Sequence, residues 1–221
     1  MFRFSLLLIG NALLALVLVS CSKEPAAQYR LSAEQLAWQG YQMGEELRFG
    51  HARNNKIRAY RVTEIRDQME KQYTGGGGPG LPFPRKESPL CQHRTVVALR
   101  TDSLYRPLPI LDLQLSTDGG YDRPLLRAEA EWETFGYAPL PLDNIINGTP
   151  IDTLYGYRPG TRLLASATLG PATYSQVIRV DNRPAPGTAP LGRSTRRLYY
   201  ARGKGVVAFE EAGNDLWYCL P

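Results

Sequence analysis

The chain has 221 residues, 21% charged and 43% hydrophobic, a balance that excludes a disordered polymer and predicts a folded body. Its net charge of +5 is mild, and the arginines are scattered without interleaved aromatic residues, which argues against a nucleic-acid partner. With three Cys and two His, no metal-ligand spacing and no cofactor motif emerges; Cys91 and His93 alone do not complete a coordination shell.

Arg3 precedes an apolar run over residues 6–19, broken only by Gly10 and Asn11, and Ser20 closes it with a small side chain. A basic start, an apolar middle and a small residue at the cut make residues 1–20 a signal peptide in layout. The run falls short of the ~20 residues of a membrane span. Leu18-Val19-Ser20-Cys21 resembles the lipobox of bacterial lipoproteins at all four positions. That resemblance implies a diacylglycerol on the Cys21 sulfur and an acyl chain on its freed amine, a durable anchor at ~0.8 kcal/mol per buried methylene. It makes membrane lipid a partner and places the chain in the bacterial cell envelope. Ser22, where Asp would retain a lipoprotein in the inner membrane, points to the outer membrane, on its periplasmic face or at the cell surface. Ser22-Lys23-Glu24 also resembles, in part, the surface-export signal of Bacteroidota lipoproteins, with Pro25 interrupting the acidic run. The alternative is an ordinary secreted protein with a Cys at the cut.

Cleavage removes Arg3 and leaves 25 Lys and Arg against 21 Asp and Glu, a side-chain charge of +4. With Cys21 lipidated, Cys91 and Cys219 remain as an even pair in an oxidising compartment, and one disulfide is expected. The alternative is two buried thiols.

Residues 21–31 carry the lipidated Cys and a polar tether. Ser32-Ala33-Glu34-Gln35 reads as a capping box before a short helix over residues 33–39. From there the pattern is extended. Leu47 and Phe49 share a face, as do Tyr60 and Val62. Ile65 falls out of phase, which predicts a bulge, or a helical stretch over 64–71. Loops rich in Gly and Pro are expected near residues 74–90 and 181–195. Strands follow over 94–101 and 110–116, then a turn at Asp118-Gly119-Gly120. Residues 126–133 alternate most cleanly, with Leu126, Ala128, Ala130 and Trp132 inward and Arg127, Glu129, Glu131 and Glu133 outward. After a proline-interrupted crossing over 135–141 and the apolar residues 142–146, Asn147-Gly148 reads as a tight turn. Further strands are predicted over 151–157, 162–169 and 174–180, and a three-strand meander over 197–220 closes the domain. Gly203 and Gly205 fit the backbone angles of its first turn.

Tyr174-Ser-Gln-Val-Ile-Arg-Val180, then Tyr199-Tyr-Ala-Arg-Gly-Lys-Gly205, then Leu216-Trp-Tyr218 resembles the C-terminal half of small secreted bacterial lipoproteins, and residues 41–65 resemble the opening of uncharacterised lipoproteins of the Bacteroidota, the clear match covering about a quarter of the chain. The resemblance implies a β-rich body and carries no site residues across. Asp102-Ser103-Leu104 and Asp152-Thr153-Leu154 resemble the three-residue O-glycan acceptor of the same bacteria, which implies Ser103 and Thr153 as acceptors.

The expected fold is mainly β: one domain over residues 32–221, an antiparallel curved sheet or partly open barrel with one short N-terminal helix. The expected function is that of a non-enzymatic binding or assembly component of the envelope, its partner an apolar ligand in the curved sheet or another envelope protein. The alternative is a hydrolase acting on envelope polymers, with Glu129, Glu131 and Asp143 as its available carboxylates. His51 and His93 lie in no catalytic motif. A third reading is a purely structural surface protein.

Overall fold

The computed structural model describes residues 26–72, 88–103, 106–117, 124–151, 159–182 and 194–221. The residues expected as a signal peptide, Cys21, Thr153, the turn expected at 118–120 and the strand expected over 151–157 lie wholly or almost wholly outside those residues, as do most of the residues of the two expected Gly/Pro-rich loops.

Twelve strands form one sheet. They are β1 (Gln28–Tyr29), β2 (Glu46–His51), β3 (Ile57–Lys71), β4 (Leu90–Arg100), β5 (Leu108–Ser116), β6 (Leu125–Trp132), β7 (Gly136–Pro139), β8 (Arg162–Leu169), β9 (Ala172–Asp181), β10 (Thr195–Ala201), β11 (Gly205–Glu211) and β12 (Asp215–Cys219). Their order is β7-β6-β5-β4-β3-β2-β12-β11-β10-β9-β8, all antiparallel. The two-residue β1 lies parallel to the start of β4, at Leu90 and Cys91. Two meanders thus meet at a central β2–β12 seam, and among the described residues β7 and β8 are the edges of the sheet.

The sheet curls into a half-barrel. Strands β5, β4, β3, β2, β12 and β11 separate β6 from β10 in the sheet. Yet the Thr195 N–H donates to the Thr134 hydroxyl just after β6, at 2.8 Å. Two register shifts lie at one level, between Val62 and Glu64 in β3 and opposite Val96–Val97 in β5. Each inserts a residue on one strand and increases its local coiling. The first explains the phase of Ile65: Thr63 is the extra residue, and Ile65 then pairs with Val96.

The inner face is filled with side chains. Phe49, Tyr60, Trp132 and Phe209 have no exposed surface, and their rings meet edge-on or tilted at 4.8–5.8 Å. Such pairs add about 0.5–1.5 kcal/mol beyond their buried area. One end of the half-barrel is capped by the segment around helix α1 (Ala33–Leu36). Its capping box forms as expected: Ser32 Oγ accepts from the Gln35 N–H and Gln35 Oε1 accepts from the Ser32 N–H. The helix is one turn, shorter than predicted. Trp38 and Tyr41 seal the cap, with the Tyr200 hydroxyl donating to the Trp38 carbonyl and the Val206 N–H to the Tyr41 hydroxyl. Gly205 is required there, since its φ is +77° and a Cβ would lie 2.1 Å from the Tyr41 ring.

Four expectations need correction. A second helix, α2 (Leu142–Asn147), follows β7, and Gly148 ends it in the left-handed region, so Asn147-Gly148 is a helix terminus and not a hairpin turn. The crossing expected over 135–141 begins at the end of a 3-10 turn (Glu133–Phe135) and contains the edge strand β7. Glu131 and Glu133 are buried, whereas Arg127 and Glu129 face solvent as predicted. Finally, Cys91 and Cys219 form no disulfide. Cys91 lies opposite Glu70 of β3, while Cys219 lies opposite Phe49, itself opposite Arg58 of β3. Those positions are about 40 Å apart along the strand, far beyond the ~7 Å Cα limit of a bridge.

The other face of the C-terminal meander holds a second apolar cluster of Leu169, Val177, Tyr199, Ala201, Val207 and Ala208. β9 pairs with β10 only through residues 177–181; its first half pairs with β8 alone. Gln176, at φ +50°, marks the change, and the free half of the hairpin folds back so that Gly170 at its tip rests on the Tyr218 ring.

Candidate functional site

The end of the half-barrel opposite the cap is polar. Its rim is made by the β2–β3, β4–β5 and β11–β12 turns and by the 3-10 turn after β6. The alternation of β3 puts Arg58 on the same inward face as Tyr60 and Val62, and all three are buried. Glu133 would face outward if β6 continued. Instead its φ of +36° turns the chain, and both Glu133 and Phe135 are buried. A left-handed non-glycine residue costs on the order of 1–3 kcal/mol, and here it is offset by a full set of donors. Arg58 Nη1 and Arg100 Nη1 each donate to Glu133 at 2.9 Å, and the Tyr60 hydroxyl donates to it as well. Arg58 Nη2 reaches Glu211 at 2.8 Å, and Glu211 also accepts from the Trp217 indole N–H at 3.1 Å. The Arg58 guanidinium lies over the Trp217 ring, 4.1 Å from its centroid.

Around this buried network lies the mouth itself. Arg100 grips Asp102 through Nε and Nη2 at 2.6 and 2.9 Å, which holds the Asp102 carboxyl below its ordinary pKa and the guanidinium above its own. Burial, then the Glu133 carboxylate, pushes the Tyr60 phenol far up, so it remains a donor. His51 Nδ1 accepts from the Arg53 N–H, its Nε2 faces Asp215 at 3.8 Å, and its ring meets Trp217 edge-on. His51, Arg58, Arg100, Asp102, Glu211, Asp215 and Trp217 line a cavity of about 480 Å³ with Asn54, Lys56 and the half-exposed Ile57 at its lip. The volume falls in the roughly 300–1,000 Å³ range of small-molecule sites.

The carboxylates expected for hydrolysis are elsewhere. Glu129 is exposed on β6; Glu131 is buried and takes its hydrogen bond from Arg106; the Asp143 carboxylate, on α2, accepts from the Leu126 N–H at 3.4 Å. None lines the cavity. His51 does line it, whereas His93 lies on β4 between Glu70 and Asp112, at 3.0 and 2.5 Å. Ser103 is exposed in the turn after β4, beside Asp102 of the rim. Cys91 and Cys219 lie outside the cavity lining.

Arg58, Arg100 and Glu211 are not among the residues singled out from sequence, and Glu133 is expected there on the outward face of its strand. One signal was available: Arg58 occupies an inward position of an alternating strand, where a buried charge requires a partner. Comparison with family models, curated proteins and solved structures returned no match.

Proposed function

We propose that the chain is a lipid-anchored protein of the bacterial cell envelope, outer-membrane in location, that acts as a non-enzymatic binding component through the polar cleft at the rim. The carrying observation is the contrast between the two ends of the inner face. The aromatic middle is packed solid, which leaves an apolar ligand little room among the described residues, while the rim holds a cavity of about 480 Å³ floored by a fixed ionic network. Rigid polar groups around a concave site are what orient a small ligand.

Hydrolysis is the weaker reading. It needs a carboxyl free to give a proton and another free to attack or activate water. Of the carboxylates lining the cleft, Asp102 is gripped by Arg100, both oxygens of Glu211 are engaged and Asp215 is paired with Arg53, and Glu133 beneath them is held by Arg58, Arg100 and Tyr60.

The test is native mass spectrometry of residues 22–221 exported to a periplasm. An extra non-covalent mass that disappears on denaturation, and is lost when Ile57→Trp fills the lip, is the expected result. A bare chain from every preparation would overturn the binding role.

A further inference from the structure

Resting on that binding role, the chemistry of the cleft narrows what it takes. We infer that the ligand is an uncharged polyhydroxylated molecule, a glycan segment, which enters from the side of the protein farthest from its N-terminal attachment.

Charge is the first argument. The lining carries Lys56, Arg58 and Arg100 against Asp102, Glu211 and Asp215, so it focuses neither sign. Arg58 and Arg100 are already satisfied by carboxylates. An anion would meet only the Lys56 ammonium, and a cation only Asp215, which Arg53 already neutralises at 3.3 Å. A hydroxyl both donates and accepts, and the lip offers both functions side by side: the Lys56 ammonium and Asn54 amide as donors, the half-exposed Asp215 carboxylate as acceptor. The Asn54 side chain is held in place because its Oδ1 accepts the Lys56 N–H at 3.1 Å. Ile57, 45% exposed, supplies an apolar wall suited to the C–H face of a sugar ring.

Position is the second argument. The chain enters the sheet at β1, beside Leu90 and Cys91, and Cys91 lies opposite Glu70 near the far end of β3. The cleft is at the other end, beside Ile57. At ~3.3 Å per residue the two are about 40 Å apart along β3. A body tethered through its N-terminus therefore holds the cleft away from its own membrane.

The test uses residues 22–221 against immobilised neutral oligosaccharides (glucan, mannan, galactan and xylan fragments), with uronate oligosaccharides and inorganic phosphate as charged probes. The expected result is binding to a neutral oligosaccharide that Asn54→Ala and Asp215→Ala each weaken at least tenfold, while Glu129→Gln on the exposed face of β6 leaves it unchanged. Binding confined to the charged probes and abolished by Lys56→Ala would overturn the inference and leave the cleft standing as a binding site. Silence toward every probe, with a non-covalent mass still retained in native spectra, would overturn the glycan alone; silence in both would overturn the binding role with it.

Discussion

Arg58 and Glu133, 75 residues apart in sequence, meet at 2.9 Å inside the half-barrel with both side chains buried. Removing one member of a buried pair leaves an uncompensated charge, and here Arg58 serves two carboxylates at once. Arg58→Ala should therefore destabilise by about 3–5 kcal/mol, read as a fall in the urea midpoint at unchanged slope. Glu133→Gln keeps the shape and one acceptor oxygen and should cost less. Equal losses would mean that the ion pair itself, and not the packing of Arg58 on Trp217, holds the site.

His93 gives a pH signature. Burial alone would lower its pKa, but the hydrogen bond to Glu70 and the Asp112 carboxylate together hold it above the ordinary histidine value. The same contact holds Glu70 below its own. The raised His93 stabilises the fold fully below its unfolded pKa of ~6.5 and loses that contribution as pH rises through the folded value. The lowered Glu70 contributes above ~4.5 and loses its share on acidification. Wild type and His93→Gln should differ most between about pH 4.5 and 6.5 and converge in mild alkali. The cluster is open to water, so the difference should stay below about 1 kcal/mol. A gap that widens with rising pH would show that the imidazole is held neutral.

Gly170 tests the folded-back hairpin. Its φ is +63°, and a Cβ would sit 2.4 Å from the Tyr218 ring. Gly170→Ala should destabilise by more than about 1 kcal/mol and speed amide exchange in β8 and the first half of β9 while β3 and β4 stay protected. Uniform exchange across the whole sheet would mean that the hairpin does not open separately.

The thiols give a mass measurement. The denatured, unreduced chain of residues 22–221 should take up two alkylating groups, one each at Cys91 and Cys219. Burial, with the Glu45 charge adding to it, raises the Cys219 thiol pKa, so in the native state this residue should react slowly at neutral pH. A mass two hydrogens short with no alkylation would restore the disulfide.

Much of the fold was legible where one force acts alone. Leu126, Ala128, Ala130 and Trp132 follow a period of two because one face of β6 meets the core. The Tyr60–Val62 alternation and the Ile65 slip were enough to raise the bulge. Legibility ends where a distant contact decides. Asn147-Gly148 is compatible with a hairpin turn or a helix end, and the packing of α2 on β6 selects the second. An even cysteine count says nothing of strand order, which sets Cys91 and Cys219 far apart. Glu133 continued an outward series until a single left-handed residue turned it inside, and only Arg58, Tyr60 and Arg100 together make that turn affordable.

The seam between β2 and β12 has a consequence for how the molecule is made. β2 finds its second neighbour only at residues 217–219, so the middle of the sheet cannot zip until those residues have been made. The β2–β7 and β8–β12 meanders rest on local pairings and can assemble early, whereas their joining closes one of the longest loops the chain offers and sets the pace of folding. The sheet therefore closes at its centre last, after its two halves have formed.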